Sequence, residues 1–169
     1  MLNHNLPFAN LNNDFYTYAL RILILLKHLD KTAKSNKPIL TLRRLFLYDY
    51  LLNRPFLLRI LLKKNGLGEL NILAYEKTDI RTPNLQYIIE NQRLEIVLNA
   101  LTSAEIASIA FSNELGLVFL HTDRGGDILQ LIDTKFFARL ENHAQSMKPL
   151  QTKKESFLAL EINKIHQEY

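Results

Sequence analysis

The chain has no cysteine. Disulfides, thiolate metal sites and cysteine nucleophiles are therefore excluded. Glycine is sparse, five in 169 residues. Gly66-Leu67-Gly68 is too short for a dinucleotide fingerprint. Gly125-Gly126 lies between Asp123 and Asp127 but fits neither a P-loop nor an EF-hand. A tight turn or a helix start is the plainer reading. The most apolar window, Tyr16–Leu29, is interrupted by Arg21, Lys27 and His28. It falls short of the roughly 20 apolar residues that a membrane span needs. Met1–Asn13 lacks the basic region and apolar run of a signal peptide, so a cytoplasmic protein is expected. No two of the five histidines (His4, His28, His121, His143, His166) stand at ligand spacing, and no serine sits in a nucleophile elbow. The expectation is a protein with no catalytic residues, no metal and no cofactor.

Apolar residues make up 47% of the sequence, enough for a core, and the formal charge is +4. That charge permits an acidic partner without requiring one. Met1–Asn13 reads as a lead-in, residues 14–146 as the folded domain, and residues 147–169 as a linker with an amphipathic segment. Asp14 is placed to cap a helix over Phe15–Leu29, apolar on most sides and so central in its domain. Thr41 caps a second helix, Leu42–Leu52. Pro55 opens a third, which ends at Lys64 before Gly66. Leu67–Tyr75 reads as strand or irregular chain, and Thr78–Pro83 as a loop.

The most telling pattern runs from Asn84 to His121. Asn84–Leu101 has helical apolar spacing, and two β-type segments follow, Glu105–Phe111 and Leu117–His121, separated by turn-forming Ser112–Gly116. Thr102-Ser103-Ala104-Glu105 is also a capping-box pattern, so a short helix is the alternative to the first strand. We read strand. A helix followed at once by a hairpin predicts a mostly α fold with a small β-hairpin, a winged helix with an additional C-terminal helix. Thr122 or Asp123 starts a helix to Ile132, and Asp133 or Thr134 starts another to Ser146. Lys148–Lys154 is a polar linker, and Glu155–His166 a short amphipathic helix.

A DNA-reading winged helix needs cationic side chains converging on one face. Arg43, Arg44, Arg93 and Arg124 are the candidates for DNA contact. However, Arg93 is the only basic residue of Asn84–Leu101, and Glu105–His121 has no Lys or Arg. Protein contact is the preferred reading. Its candidates are Ile106, Ile109, Phe111, Leu117 and Phe119 in the hairpin, and Phe157, Leu158, Leu160, Ile162 and Ile165 in the tail. The tail packs either on its own domain or on another chain.

Two motifs carry a family resemblance. Leu45-Phe46-Leu47-Tyr48-Asp49-Tyr50-Leu51-Leu52 resembles an early helix with a Leu-Asp-Tyr-Leu core. Arg81-Thr82-Pro83-Asn84-Leu85 resembles a loop and helix start that often reads Tyr-Arg-Ser-Gly-Glu-Leu. With the order of elements from about Leu20 to Ser146, the chain is similar to the middle component of bacterial ABC-three-component systems, the antiphage group that includes Lamassu. The resemblance implies a non-enzymatic bridging subunit. It would link an SMC-like ABC ATPase to an effector, often a nuclease; contact with DNA through the complex is a combined reading left open beside it. The rivals are a winged-helix DNA-binding regulator and an enzyme of unrecognised type.

Overall fold

A computed structural model describes residues 15–32, 35–73 and 92–168. The expected lead-in, the Thr78–Pro83 loop, the Arg81–Leu85 motif and the start of the Asn84 helix lie outside the described residues. The elements in order are α1 (Phe15–Leu29), α2 (Leu42–Leu52), α3 (Pro55–Lys64), α4 (Gln92–Ser103), β1 (Ala107–Ser112), β2 (Gly116–His121), α5 (Asp123–Gln130), α6 (Lys135–Ser146), a 3-10 turn (Lys148–Thr152) and α7 (Glu155–Glu168). Mostly helical with one antiparallel hairpin is what the sequence patterns predicted.

The hub is α1 rather than the Asn84–His121 stretch. Six consecutive residues, Arg21 to Leu26, are buried, so the middle of this helix is covered by protein on every side. It touches α2, α4, α5, α6, β2 and the 3-10 turn. Local chemistry sets the neighbouring boundaries. Thr41 Oγ1 accepts a hydrogen bond from Arg44 N (3.1 Å) and caps α2. Pro55 occupies the first turn of α3, where its missing N–H costs nothing. Gly66, at φ +63°, closes α3. There Gly66 N donates to Lys63 O and Leu67 N to Leu62 O, the paired bonds of a Schellman end.

The second half departs from expectation in three places. α4 runs through Thr102 and Ser103, so the capping-box pattern marks a helix end instead of a start. Glu105 takes the left-handed position (φ +59°), with Glu105 N bonded to Thr102 O and Ile106 N to Leu101 O. This repeats the end of α3 without a glycine. The helix expected to reach Ile132 stops at Gln130, after which Thr134 caps α6. The expected polar linker folds as the 3-10 turn, with Leu150 and Gln151 buried. The Gln151 side-chain amide donates to Leu29 O (3.1 Å) and Lys31 O (2.9 Å), carbonyls at the open end of α1. A buried glutamine is tolerated because it satisfies a helix terminus.

α7 lies on α2 and α3. Leu158, Ile162 and Ile165 stand at helical spacing on one stripe, each 0% exposed. Glu155, at its first turn, accepts from Thr41 Oγ1 (2.5 Å). The N-terminal ends of α2 and α7 are therefore tied through one hydroxyl.

Candidate interaction surface

The hairpin is anchored at its base by hydrogen bonds, while its tip carries a long, exposed Lys37–Glu114 pair (4.0 Å). Thr122, which caps α5, donates its hydroxyl to Glu105 O (3.0 Å) and Ile106 O (2.7 Å) while accepting from Gly125 N (3.1 Å). A Cβ on Gly125 would lie 2.5 Å from Ile106 O, so the start of α5 sits against the entry to β1. This is the plain role of the Gly125-Gly126 pair: the start of a helix packed on backbone. On the other side, Phe119 N donates to Leu40 O (2.9 Å) and His121 N to the Asp30 carboxylate (3.2 Å). Ala107, Val118 and Phe119 are buried.

Toward the tip the apolar residues emerge. Ile109, Phe111 and Leu117 are 49%, 74% and 61% exposed, and Leu115 in the turn is also exposed. Phe111 pairs across the ladder with Leu117, and Ile109 with Phe119. Their side chains share one face of the hairpin, since side chains alternate along a strand. Asn113, Glu114 and Leu115 form the loop, and Gly116, which follows it opposite Ser112, adopts φ +77°, the left-handed region that favours glycine. A cleft of about 370 Å³ separates this tip from Thr32 and from Ser35–Ile39 of the α1–α2 connection.

The sequence candidates separate accordingly. Ile109, Phe111 and Leu117 form a surface, whereas Ile106 is half-buried and Phe119 belongs to the core. In the tail, Leu160 is exposed and Phe157 is half-buried under Lys153, whose ammonium lies 5.3 Å from the ring centre. Leu158, Ile162 and Ile165 are consumed by the chain's own core and offer no surface to a partner.

The four arginine candidates do not behave as one set. Arg44 is buried, with Nη1 donating to Gln151 O (3.1 Å), Nη2 to Lys153 O (2.7 Å), and Nε 3.8 Å from Glu155. It neutralises carbonyl ends rather than phosphates. Arg93 lies over the Tyr18 ring at 5.3 Å. Arg124 is exposed, 3.9 Å from Glu105, and Arg43 is exposed.

The strongest polar cluster is one that the sequence reading missed. Arg21 Nε donates to Asp49 Oδ1 (2.9 Å), joining α1 to α2 almost out of solvent. Asn53 donates to the second carboxylate oxygen (3.3 Å), and the Arg21 guanidinium lies 4.9 Å from the Tyr18 ring centre. Burial pushes the Asp49 carboxyl up, against the pull of Arg21. Burial also pushes the Tyr18 phenol up. Alongside, Tyr50 Oη and His166 Nε2 are 2.7 Å apart, and Arg54 stacks 4.0 Å from the Tyr50 ring centre. The signal in the sequence was Arg21 itself, a charge inside an apolar run, which needs a buried counter-charge. The geometry suits clamping two helices.

Among the described residues, no three His, Asp or Glu side chains are grouped to hold a metal ion, and no helix is long and apolar enough to cross a membrane. His28 Nε2 lies 3.4 Å from Glu141, which also accepts from Lys27 (2.7 Å). Burial lowers the affinity of both His28 and His121 for a proton.

Residues 29–160 match the family described as ABC-three component (ABC-3C) system Middle Component 4. The matched region extends past Ser146, the limit expected from the motifs, through the 3-10 turn and into α7. No curated protein and no solved structure matches the chain.

Proposed function

The chain belongs to the Middle Component 4 family of ABC-three-component systems, and on that premise we propose that it is their non-catalytic bridging subunit. The reading rests on one observation beyond the family. Ile109, Phe111 and Leu117 form an exposed apolar face on a hairpin whose base is locked to α1, α4 and α5. Apolar side chains held out on an ordered element are a common form of protein contact site.

We further propose that the hairpin is the wing of a winged helix formed with α4. The subunit links an SMC-like ABC ATPase to an effector such as a nuclease, in a Lamassu-type antiphage assembly of the cytoplasm. DNA contact passes through the complex. The regulator alternative has less support: Arg44 and Arg93 are engaged within the fold, which leaves Arg43 and Arg124 exposed among its four candidates. No grouping of described residues favours an enzyme.

The test is co-expression of the tagged chain with the other two proteins of its system. Stable co-elution of an ATPase and an effector is expected. Phe111→Asp with Leu117→Asp should abolish that co-elution while leaving the melting temperature of the isolated subunit within the range of a surface change. Full assembly of the double variant would remove the hairpin from the interface.

A further inference from the structure

The two edges of the hairpin are not equivalent. Phe119 N and His121 N point away from β1, toward Leu40 O and Asp30. In an antiparallel ladder this makes Phe119 and Ile109, and likewise Leu117 and Phe111, non-hydrogen-bonded pairs. The N–H and C=O groups of Ile109 and Phe111 therefore point outward from the free edge of β1. Among the described residues, none bonds to them. β1 also has none of the usual protections of an open edge: no lysine, no proline and no inward charge.

We propose that the outer edge of β1 is a docking site for an extended segment of another subunit, apolar at alternate positions and cationic at its ends, which joins the hairpin as a third strand. The proposal rests on the bridging role and names the chemistry of its contact. Unpaired edge groups are matched by extended backbone, not by a helix face. Ile109 and Phe111 supply apolar contacts at alternate positions. Glu105 and Glu114, both exposed, stand at the two ends of the strand, and the hairpin carries no cation. Their present partners, Arg124 at 3.9 Å and Lys37 at 4.0 Å, are long, solvent-exposed pairs that contribute little and are easily exchanged.

The same charges disfavour a second copy of this chain. Antiparallel pairing of two β1 strands, centred on Ile109 or Ala110, would bring Glu114 of each copy one position from Glu105 of the other. Both ends would then repel.

Amide hydrogen exchange tests the proposal in the isolated subunit and in the complex co-expressed from its system. In the isolated chain the Ile109 and Phe111 amides should exchange freely, while Ala110, bonded to Val118 in the ladder, is protected. In the complex, exchange at Ile109 and Phe111 should slow by roughly tenfold or more. Ile109→Pro removes an N–H that β2 does not use, so the hairpin keeps its ladder while the third strand is blocked. Complex affinity should fall by at least about tenfold. Phe111→Lys is the second variant, placing an edge lysine without any backbone demand. Protection of both amides in the dilute isolated chain would overturn the proposal in favour of cover by the chain itself. Protection that rises with concentration alongside a dimeric mass would overturn it in favour of self-pairing. A formed complex with both amides still fast would sink the strand while sparing the bridging role. Failure of any complex to form would remove that role and the strand with it.

Discussion

α7 and the β1–β2 hairpin carry similar apolar residues to opposite ends. In α7, Leu158, Ile162 and Ile165 turn inward onto α2 and α3 and vanish from solvent. In the hairpin, Ile109, Phe111 and Leu117 turn outward beyond the last buried residue. The difference lies in what surrounds each element. α7 is tied at its first turn by Thr41 and the Arg44 network, which delivers its stripe to the core. The hairpin is tied firmly at its base, while its tip carries, among the described residues, just the long and exposed Lys37–Glu114 pair. An apolar pattern states that a surface will be covered; the tethers decide by whom.

The largest contrast should come from paired truncations. Ile162→Ala opens a cavity in a fully buried site and should cost about 2–5 kcal/mol. Phe111→Ser should change stability by no more than about 0.5 kcal/mol. Denaturant unfolding of the two variants checks this, and equal losses would erase the distinction. Gly125→Ala addresses the base of the hairpin. In an open helix the change would gain about 1 kcal/mol. Here the new methyl meets Ile106 O, so a net loss of about 1–3 kcal/mol is expected by the same assay. Glu105→Gly should act in the opposite direction, adding about 1 kcal/mol by relieving the left-handed glutamate at the end of α4.

The smallest effect is in pH. Burial holds His28 and His121 below the ordinary imidazole range in the folded chain. As pH falls through about 6.5, the unfolded chain takes up protons that the folded chain resists, and stability declines. The melting temperature should therefore drop between pH 7.5 and pH 5.5. A His28→Gln, His121→Gln variant should show a flatter profile over that interval.

Much of this architecture was readable because its causes are local. Thr41, Pro55, Gly66, Thr122 and Thr134 each mark a boundary through chemistry within a few residues. The encircling apolar residues of α1 identified it as central. The readings failed where the deciding partner is remote. Arg44 resembled a surface cation because the carbonyls it serves, on Gln151 and Lys153, are 107 and 109 residues away. Gln151 resembled linker because its acceptors lie at the end of α1. The helix end at Glu105 escaped notice because a glutamate holds a position where glycine is usual. Of the candidate surface, the apolar composition of the hairpin was legible in advance. Which residues clear the core, and which edge stays open, depended on Leu40 and Asp30 claiming the opposite side.

The stitching of the α1–α2 connection also carries a consequence for biosynthesis. Gln151 closes the end of α1, and Glu155 engages the cap of α2, across separations of 122 and 114 residues. Contacts this distant slow folding, because a long stretch of chain must be ordered before they form. On the ribosome the first two helices emerge early but remain unfinished until position 155 is available. The central helix of the nascent subunit is thus fully covered only once Gln151 and the 3-10 turn have followed it.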